Sequence, residues 1–252
     1  MKTTARLLLL ILCLSQCLPG VIHGALGEMA NDYEVYMALV STWSVTGRYE
    51  PSPRWTVYFS AGTFFHDLPL EGLHNFDEIK SINEEPEYWG VYEIDGHSGT
   101  WKRATYEASA IELDHEGNLL LMGDTYRRLQ SVDGMRLHGS WTYYSNPIDA
   151  WSEPGEEKPI ITFSRDGRFI DHGLFKTEYL PLPEHYDEDE WQVDEADIAP
   201  GQGRYEIADF TLILNFDDGR TRTAAYSLFY GDPTEESPAF IYIYRGRLSL
   251  IE

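Results

Sequence analysis

The stretch Ile161–Phe169, ITFSRDGRF, carries a β-hairpin signal: an alternating apolar run, an Asp-Gly turn and a second run. A close echo stands a hundred residues earlier, VYFSAGTFF at Val57–Phe65. Other landmarks recur in the same order. LVSTW ends at Trp43 and LHGSW at Trp141; GVYEID (Gly90–Asp95) is matched by GRYEIA (Gly203–Ala208). LDHEGN (Leu113–Asn118) is matched by NFDDGR (Asn215–Arg220), and YRRL (Tyr126–Leu129) by YRGRL (Tyr244–Leu248). One short match is easily met by chance; an ordered series points to tandem duplication, and so to one module built twice.

Each copy reads as β-structure. In FTLILNF, Phe210, Leu212, Leu214 and Phe216 fall on one face by the period of two, and Asp218-Gly219 then turns the chain. The spacing predicts seven or eight short strands per copy. Neighbouring hairpins of this kind favour an up-and-down meander, and closing it removes exposed edges. The expected fold is therefore all-β, with two tandem antiparallel barrels. The expected divisions are a leader at 1–27, a first repeat at 28–137 and a second at 138–252. Two stretches read as helical: DYEVYMALV (Asp32–Val40), and LEGLHNFDEIKSI (Leu70–Ile82) with Leu70, Leu73, Phe76 and Ile79 at helical spacing.

Lys2 and Arg6 precede an apolar run of eight, Leu7–Leu14, too short to span a bilayer as a helix. Small residues follow at Gly20, Gly24, Ala25 and Gly27, the pattern of an export signal cleaved between Gly24 and Glu28. Both cysteines, Cys13 and Cys17, lie inside it, so the exported chain would fold without a disulfide. LSQC at Leu14–Cys17 resembles a lipoprotein box, which sets a lipid-anchored Cys17 against a free periplasmic or secreted protein as alternatives. The net charge of −23 over 252 residues repels nucleic acid and anionic membrane surfaces, and no further long apolar run predicts a membrane span.

GSW at Gly139–Trp141, at the start of a β-meander with arginine in its closing strand, resembles the lipocalin pattern. ITFSRDGRF followed by GRYEIADFTLILNFDDGR is similar to the bacterial lipocalin-like proteins. The likeness covers Gly139 to the C-terminus more fully than the first copy, where STW lacks the glycine. It implies that a tryptophan closes each barrel against an arginine of the last strand: Trp141 with Arg245 or Arg247, and Trp43 with Arg127 or Arg128. A guanidinium over an indole face gains roughly 0.5–2 kcal/mol, and its stem covers apolar surface. The resemblance also implies a non-enzymatic protein that binds a small apolar molecule inside a barrel. The alternative is a structural or protein-interaction module of the cell envelope with filled barrels. A hollow interior favours the first and a solid one the second.

Signals for chemistry are sparse. GHSG at Gly96–Gly99 is one residue short of a nucleophile elbow and lacks a strand-to-helix context, which argues against Ser98 as a nucleophile. The sequence has no HExxH, Cys-based metal motif, phosphate loop or dinucleotide fingerprint, and no cofactor is expected. His66 and His172 stand in loosely corresponding places after the two hairpins, where neutral imidazoles could ligate haem or metal. Asp187–Asp197 holds seven carboxylates in eleven residues without EF-hand spacing, and reads as a solvated insertion rather than a Ca²⁺ site.

Overall fold

The computed structural model describes residues 33–43, 49–103, 106–143, 159–175, 199–229, 235–244 and 246–251. Sixteen strands form two closed eight-stranded antiparallel barrels in tandem. The first consists of β1 (Tyr33–Trp43), β2 (Tyr49–Phe59), β3 (Thr63–Phe65), β4 (Trp89–Asp95), β5 (Ser98–Arg103), β6 (Ser109–Leu113), β7 (Leu119–Leu121) and β8 (Asp124–Arg128). The second consists of β9 (Gly139–Tyr143), β10 (Ile161–Phe163), β11 (Arg168–Asp171), β12 (Gly201–Ala208), β13 (Thr211–Phe216), β14 (Thr221–Ser227), β15 (Phe240–Ile243) and β16 (Gly246–Ile251). Each strand pairs with its chain neighbours, and the last closes on the first.

The duplication is visible in the ladders. The hairpins β2–β3 and β10–β11 both turn through a glycine in the left-handed region, Gly62 and Gly167, each at φ +82°. Gly62 N–H donates to the Phe59 carbonyl and Gly167 N–H to that of Ser164; the two glycine carbonyls then accept from Tyr92 and Tyr205. These bonds place Tyr58 with Phe163, Phe64 with Phe169, and Tyr92 with Tyr205. Two of the sequence landmarks, the hairpin and the GxYEI strand, thus hold in register. The others do not. LDHEGN joins β6 to β7 whereas NFDDGR joins β13 to β14, one hairpin earlier in its barrel. Short Asp-Gly turns arise wherever a tight hairpin is needed, so their likeness carries no register.

Both helical expectations change. Asp32–Val40 falls largely in β1, a strand and not a helix. Glu34, Tyr36 and Ala38 pack into the first barrel, while Val35 and Met37 pack on its outside. With both faces covered, the strand loses its apolar/polar alternation, and its spacing mimics a helix. In Leu70–Ile82 helix begins only at Glu78: α1 (Glu78–Glu84) is capped by Asp77, whose side chain accepts from Lys80 N–H.

Three apolar clusters hold the molecule. One fills the first barrel around Tyr58, Phe64 and Trp101; another fills the second around Trp141, Phe163 and Leu214. The third lies between them. Val35, Met37, Trp55 and Val57 on the outer wall of β1 and β2 meet Phe210, Ala225 and Tyr242 of the second barrel. Trp55 Nε1 donates to Ser227 Oγ at 3.1 Å, and its ring meets Tyr242 edge-on at 6.0 Å. The excursion between β3 and β4 adds backbone bonds across the junction, Leu73 N–H to Asp209 O and Ala225 N–H to Leu70 O. Gly72, at φ +85°, leaves no room for a side chain: a Cβ there would stand 2.1 Å from Thr211 Oγ1.

Candidate functional site: the inner walls of the barrels

Trp141 is fully buried, donates through Nε1 to the Pro238 carbonyl at 3.1 Å and packs against Phe163. Its expected partner Arg247 lies elsewhere, with its guanidinium 4.8 Å from the Phe240 ring centroid. Strand parity explains this: Leu248 and Leu250 share the inner face with Trp141, so Arg247 belongs to the outer one. Arg245 lies outside the described residues. An arginine at this end of the second barrel is Arg136, from the connection between the barrels. Its guanidinium lies 5.6 Å from the Tyr205 centroid and donates to the Tyr205 carbonyl. Next to it, Leu137 is fully buried, and its N–H donates to Tyr205 Oη at 2.7 Å. The sequence signal was the Met135–Leu137 run just before the GSW motif.

In the first barrel the side chain of Trp43, expected to pair with Arg127 or Arg128, lies outside the described residues. Arg128 stands opposite Tyr36 and Arg127 opposite Met37. The backbone of Trp43 pairs with Tyr49, seven residues further along β1 than Tyr36. Tyr36, 2% exposed, occupies the place equivalent to Trp141. Arg128 instead forms an ion pair with the buried Glu34, Nη2 to Oε1 at 2.5 Å, and Tyr36 Oη donates to Glu34 Oε2 at 2.7 Å. The Arg127 guanidinium lies 5.9 Å from the Phe229 centroid, on the second-barrel side.

The two inner walls differ in chemistry. In the second barrel Leu212, Leu214, Ile241, Ile243 and Leu248 are all 0% exposed, so no water-sized space adjoins any of them. Its buried aromatic donors are satisfied: Trp141 by Pro238 O, Tyr205 by Leu137 O, and Tyr226 by Met135 Sδ at 3.8 Å. Polar groups gather at the opposite end. Asp171 Oδ1 accepts from Gly173 and Leu174 N–H, holding a turn that buries Leu174 and Phe175. Arg222 Nη1 stands 3.8 Å from Asp171 Oδ2, with the Phe175 centroid 4.6 Å and the Phe216 centroid 5.5 Å from its Cζ. Burial is the largest influence on Asp171 and pushes its carboxyl above the ordinary range.

The first barrel is lined by Tyr36, Tyr58, Tyr92, Tyr126, Phe64 and Trp101. Tyr58 stacks on Phe64 at 5.6 Å, and Phe64 meets Trp101 edge-on at 5.2 Å. Burial pushes the Tyr92 phenol up to about 12, aided by the Glu34 carboxylate, and raises Tyr36, Tyr58 and Tyr126 as well. These phenols stay protonated at neutral pH and act as hydrogen-bonding groups. Trp101 Nε1 and Tyr58 Oη are buried without a hydrogen-bond partner; Tyr58 lies beside Thr56, whose own hydroxyl donates to the Phe65 carbonyl.

Ser98 is an exposed residue at the start of β5, opposite Asp95 and Glu112. His66 and His172 direct their backbone N–H groups to Tyr88 O and Ile160 O, and among the described residues no three His, Cys, Asp or Glu side chains gather as a metal site. Asp187–Asp197, the leader and both cysteines lie outside the described residues; among the described residues no helix is long and apolar enough to cross a membrane. Comparison with protein-family models, curated proteins and solved structures found no match.

Proposed function

We propose that this is an exported, non-enzymatic, lipocalin-like binding protein in which the second barrel is structural and the first receives a small molecule. The observation that carries the reading is the difference between the inner walls. The second is packed with aliphatic and aromatic side chains, and its aromatic donors Trp141, Tyr205 and Tyr226 find partners within the protein. The first is ringed by tyrosines and a tryptophan, of which Tyr58 Oη and Trp101 Nε1 are buried without a partner, with the buried Glu34 paired to a half-exposed Arg128 at one end. Binding sites combine apolar and aromatic lining with a few placed polar groups. The segment around Leu7–Leu14 supports export to the periplasm or beyond, with lipidation at Cys17 as the variant form.

Native mass spectrometry of the protein, purified from its own cells without denaturation, tests this. A retained small molecule, lost on unfolding, is the expected result. The bare polypeptide mass, together with no thermal stabilisation across a small-molecule library, would overturn it. That result would favour the second reading, an envelope interaction module with both barrels filled. The solid core of the second barrel is the observation that speaks for it.

A further inference from the structure

The duplication supplies an internal control for the first barrel. Tyr58 stands where the second barrel has Phe163, because each precedes its hairpin glycine by four residues and faces the matching phenylalanine across the ladder. Trp101 stands where the second barrel has Leu214, because Trp101 is opposite Tyr92 and Leu214 is opposite Tyr205. The same comparison sets Glu34 against Gly139 and Arg128 against Leu250. The second copy shows that this barrel can be filled with Phe, Leu and Gly at these places. The first copy carries a phenol and an indole there instead, and both donors are buried without a partner.

A buried donor without a partner costs about 1–3 kcal/mol, and apolar residues of similar shape would remove that cost. Both donors belong to one aromatic wall through Phe64. Tyr92, at 8% exposure, and Trp101, at 5%, keep more surface than their counterparts Tyr205, at 3%, and Leu214, at 0%. The wall is also next to one of the two shortest seams of its barrel, the other being β2–β3. β1 and β8 share two ladder pairs, whereas β1 and β2 are paired from Tyr33↔Phe59 to Trp43↔Tyr49. The Glu34–Arg128 ion pair bridges that seam.

Building on the binding reading, we propose that the first barrel takes a small, neutral, planar molecule whose carbonyl-type oxygen accepts from Trp101 Nε1 and Tyr58 Oη. Flatness follows from the rings of Phe64 and Tyr92 that border the two donors. An anion is opposed by the Glu34 carboxylate across the ladder from Tyr58 and by the net charge of −23, and a cation has no acceptor to meet at an N–H and an O–H donor beside a carboxylate already paired with Arg128. The ligand enters by parting β1 from β8 and separating Arg128 from Glu34.

The test uses the full chain labelled with ¹⁵N, with the Trp101 indole resonance assigned from Trp101→Phe. Coumarin serves as the carbonyl-bearing probe and naphthalene as the control of similar shape without an acceptor. Coumarin should shift the Trp101 resonance saturably and bind more tightly than naphthalene. Tyr58→Phe, which keeps the ring, should weaken coumarin about 2- to 10-fold, the loss of one hydrogen bond. Equal affinity for the two probes would overturn the acceptor role. Movement of the Trp141 indole in place of Trp101 would overturn the choice of barrel while leaving a binding protein. No binding of coumarin would overturn the ligand class proposed here, and the mass-spectrometric result would then decide the broader reading separately.

Discussion

Trp55→Ala should loosen the two barrels from each other as well as weaken the molecule. Trp55 is 1% exposed, and its indole is shared between Ser227 and Tyr242 of the second barrel. A buried tryptophan covers roughly 150–250 Å², which at about 25 cal/mol per Å² is worth about 4–6 kcal/mol. Ser227, itself 1% exposed, also loses its indole donor. That loss is a large share of the ~5–15 kcal/mol that holds a typical native protein. Guanidinium unfolding followed by tryptophan fluorescence and by near-ultraviolet circular dichroism is the assay. The native protein should unfold in one transition common to both probes. In Trp55→Ala the probes should separate, with the first barrel melting at lower denaturant. A native protein that already unfolds in two well-resolved steps, with Trp55→Ala moving only one of them, would refute the idea that the shared cluster couples the barrels.

Trp141→Ala removes a fully buried indole bonded to Pro238 O and should cost about 3–5 kcal/mol; a coupled molecule shows this as a shift of the single transition, measured in the same assay. Gly72→Ala should cost about 2–4 kcal/mol by denaturation, combining left-handed strain with the close approach of Thr211, and should separate the two probes as Trp55→Ala does. Asp171 has its proton affinity raised by burial, so the folded state binds that proton more tightly than the unfolded chain. Its contribution to stability is therefore fullest below the unfolded value of about 3.9 and falls as pH rises through the higher folded value. The stability difference between the native protein and Asp171→Asn should decline over that window; a flat difference in pH-dependent denaturation would show that Asp171 titrates normally.

Where a strand has one buried face, the sequence announced it. β12 alternates cleanly, as does β13 from Leu212 onward, and Gly90 and Gly203 with their following tyrosines align the two copies. Where both faces are buried, the signal was lost. Val35 and Met37 outside, against Tyr36 and Ala38 inside, gave β1 a helix-like spacing, and Trp55 and Val57 beside Thr56 and Tyr58 hid the junction between the barrels. That same continuity is the mark of a strand with no solvent face, and it was the available clue. The Trp43 pairing rested on identity of short words, which carries no register. A seven-residue offset along β1 is invisible in a motif comparison but moves a backbone position by roughly 23 Å. The inner-wall donors could not be recognised before the registers set Tyr58 against Phe163 and Trp101 against Leu214.

The cluster between the barrels also imposes an order of events on a chain made from its N-terminus. The last strand of the first barrel ends at Arg128, but Tyr242, which covers Trp55, follows 114 residues later. At ~5–20 residues per second, that is about 6–23 s of synthesis. Until Phe210, then Ala225 and finally Tyr242 are made, Val35, Met37, Trp55 and Val57 form a wall that lacks its full cover from the second barrel, on a barrel otherwise able to close. The half-finished molecule is thus the sticky one, and a chaperone that shields the first barrel's outer wall should raise the yield of the whole protein more than one acting on the second.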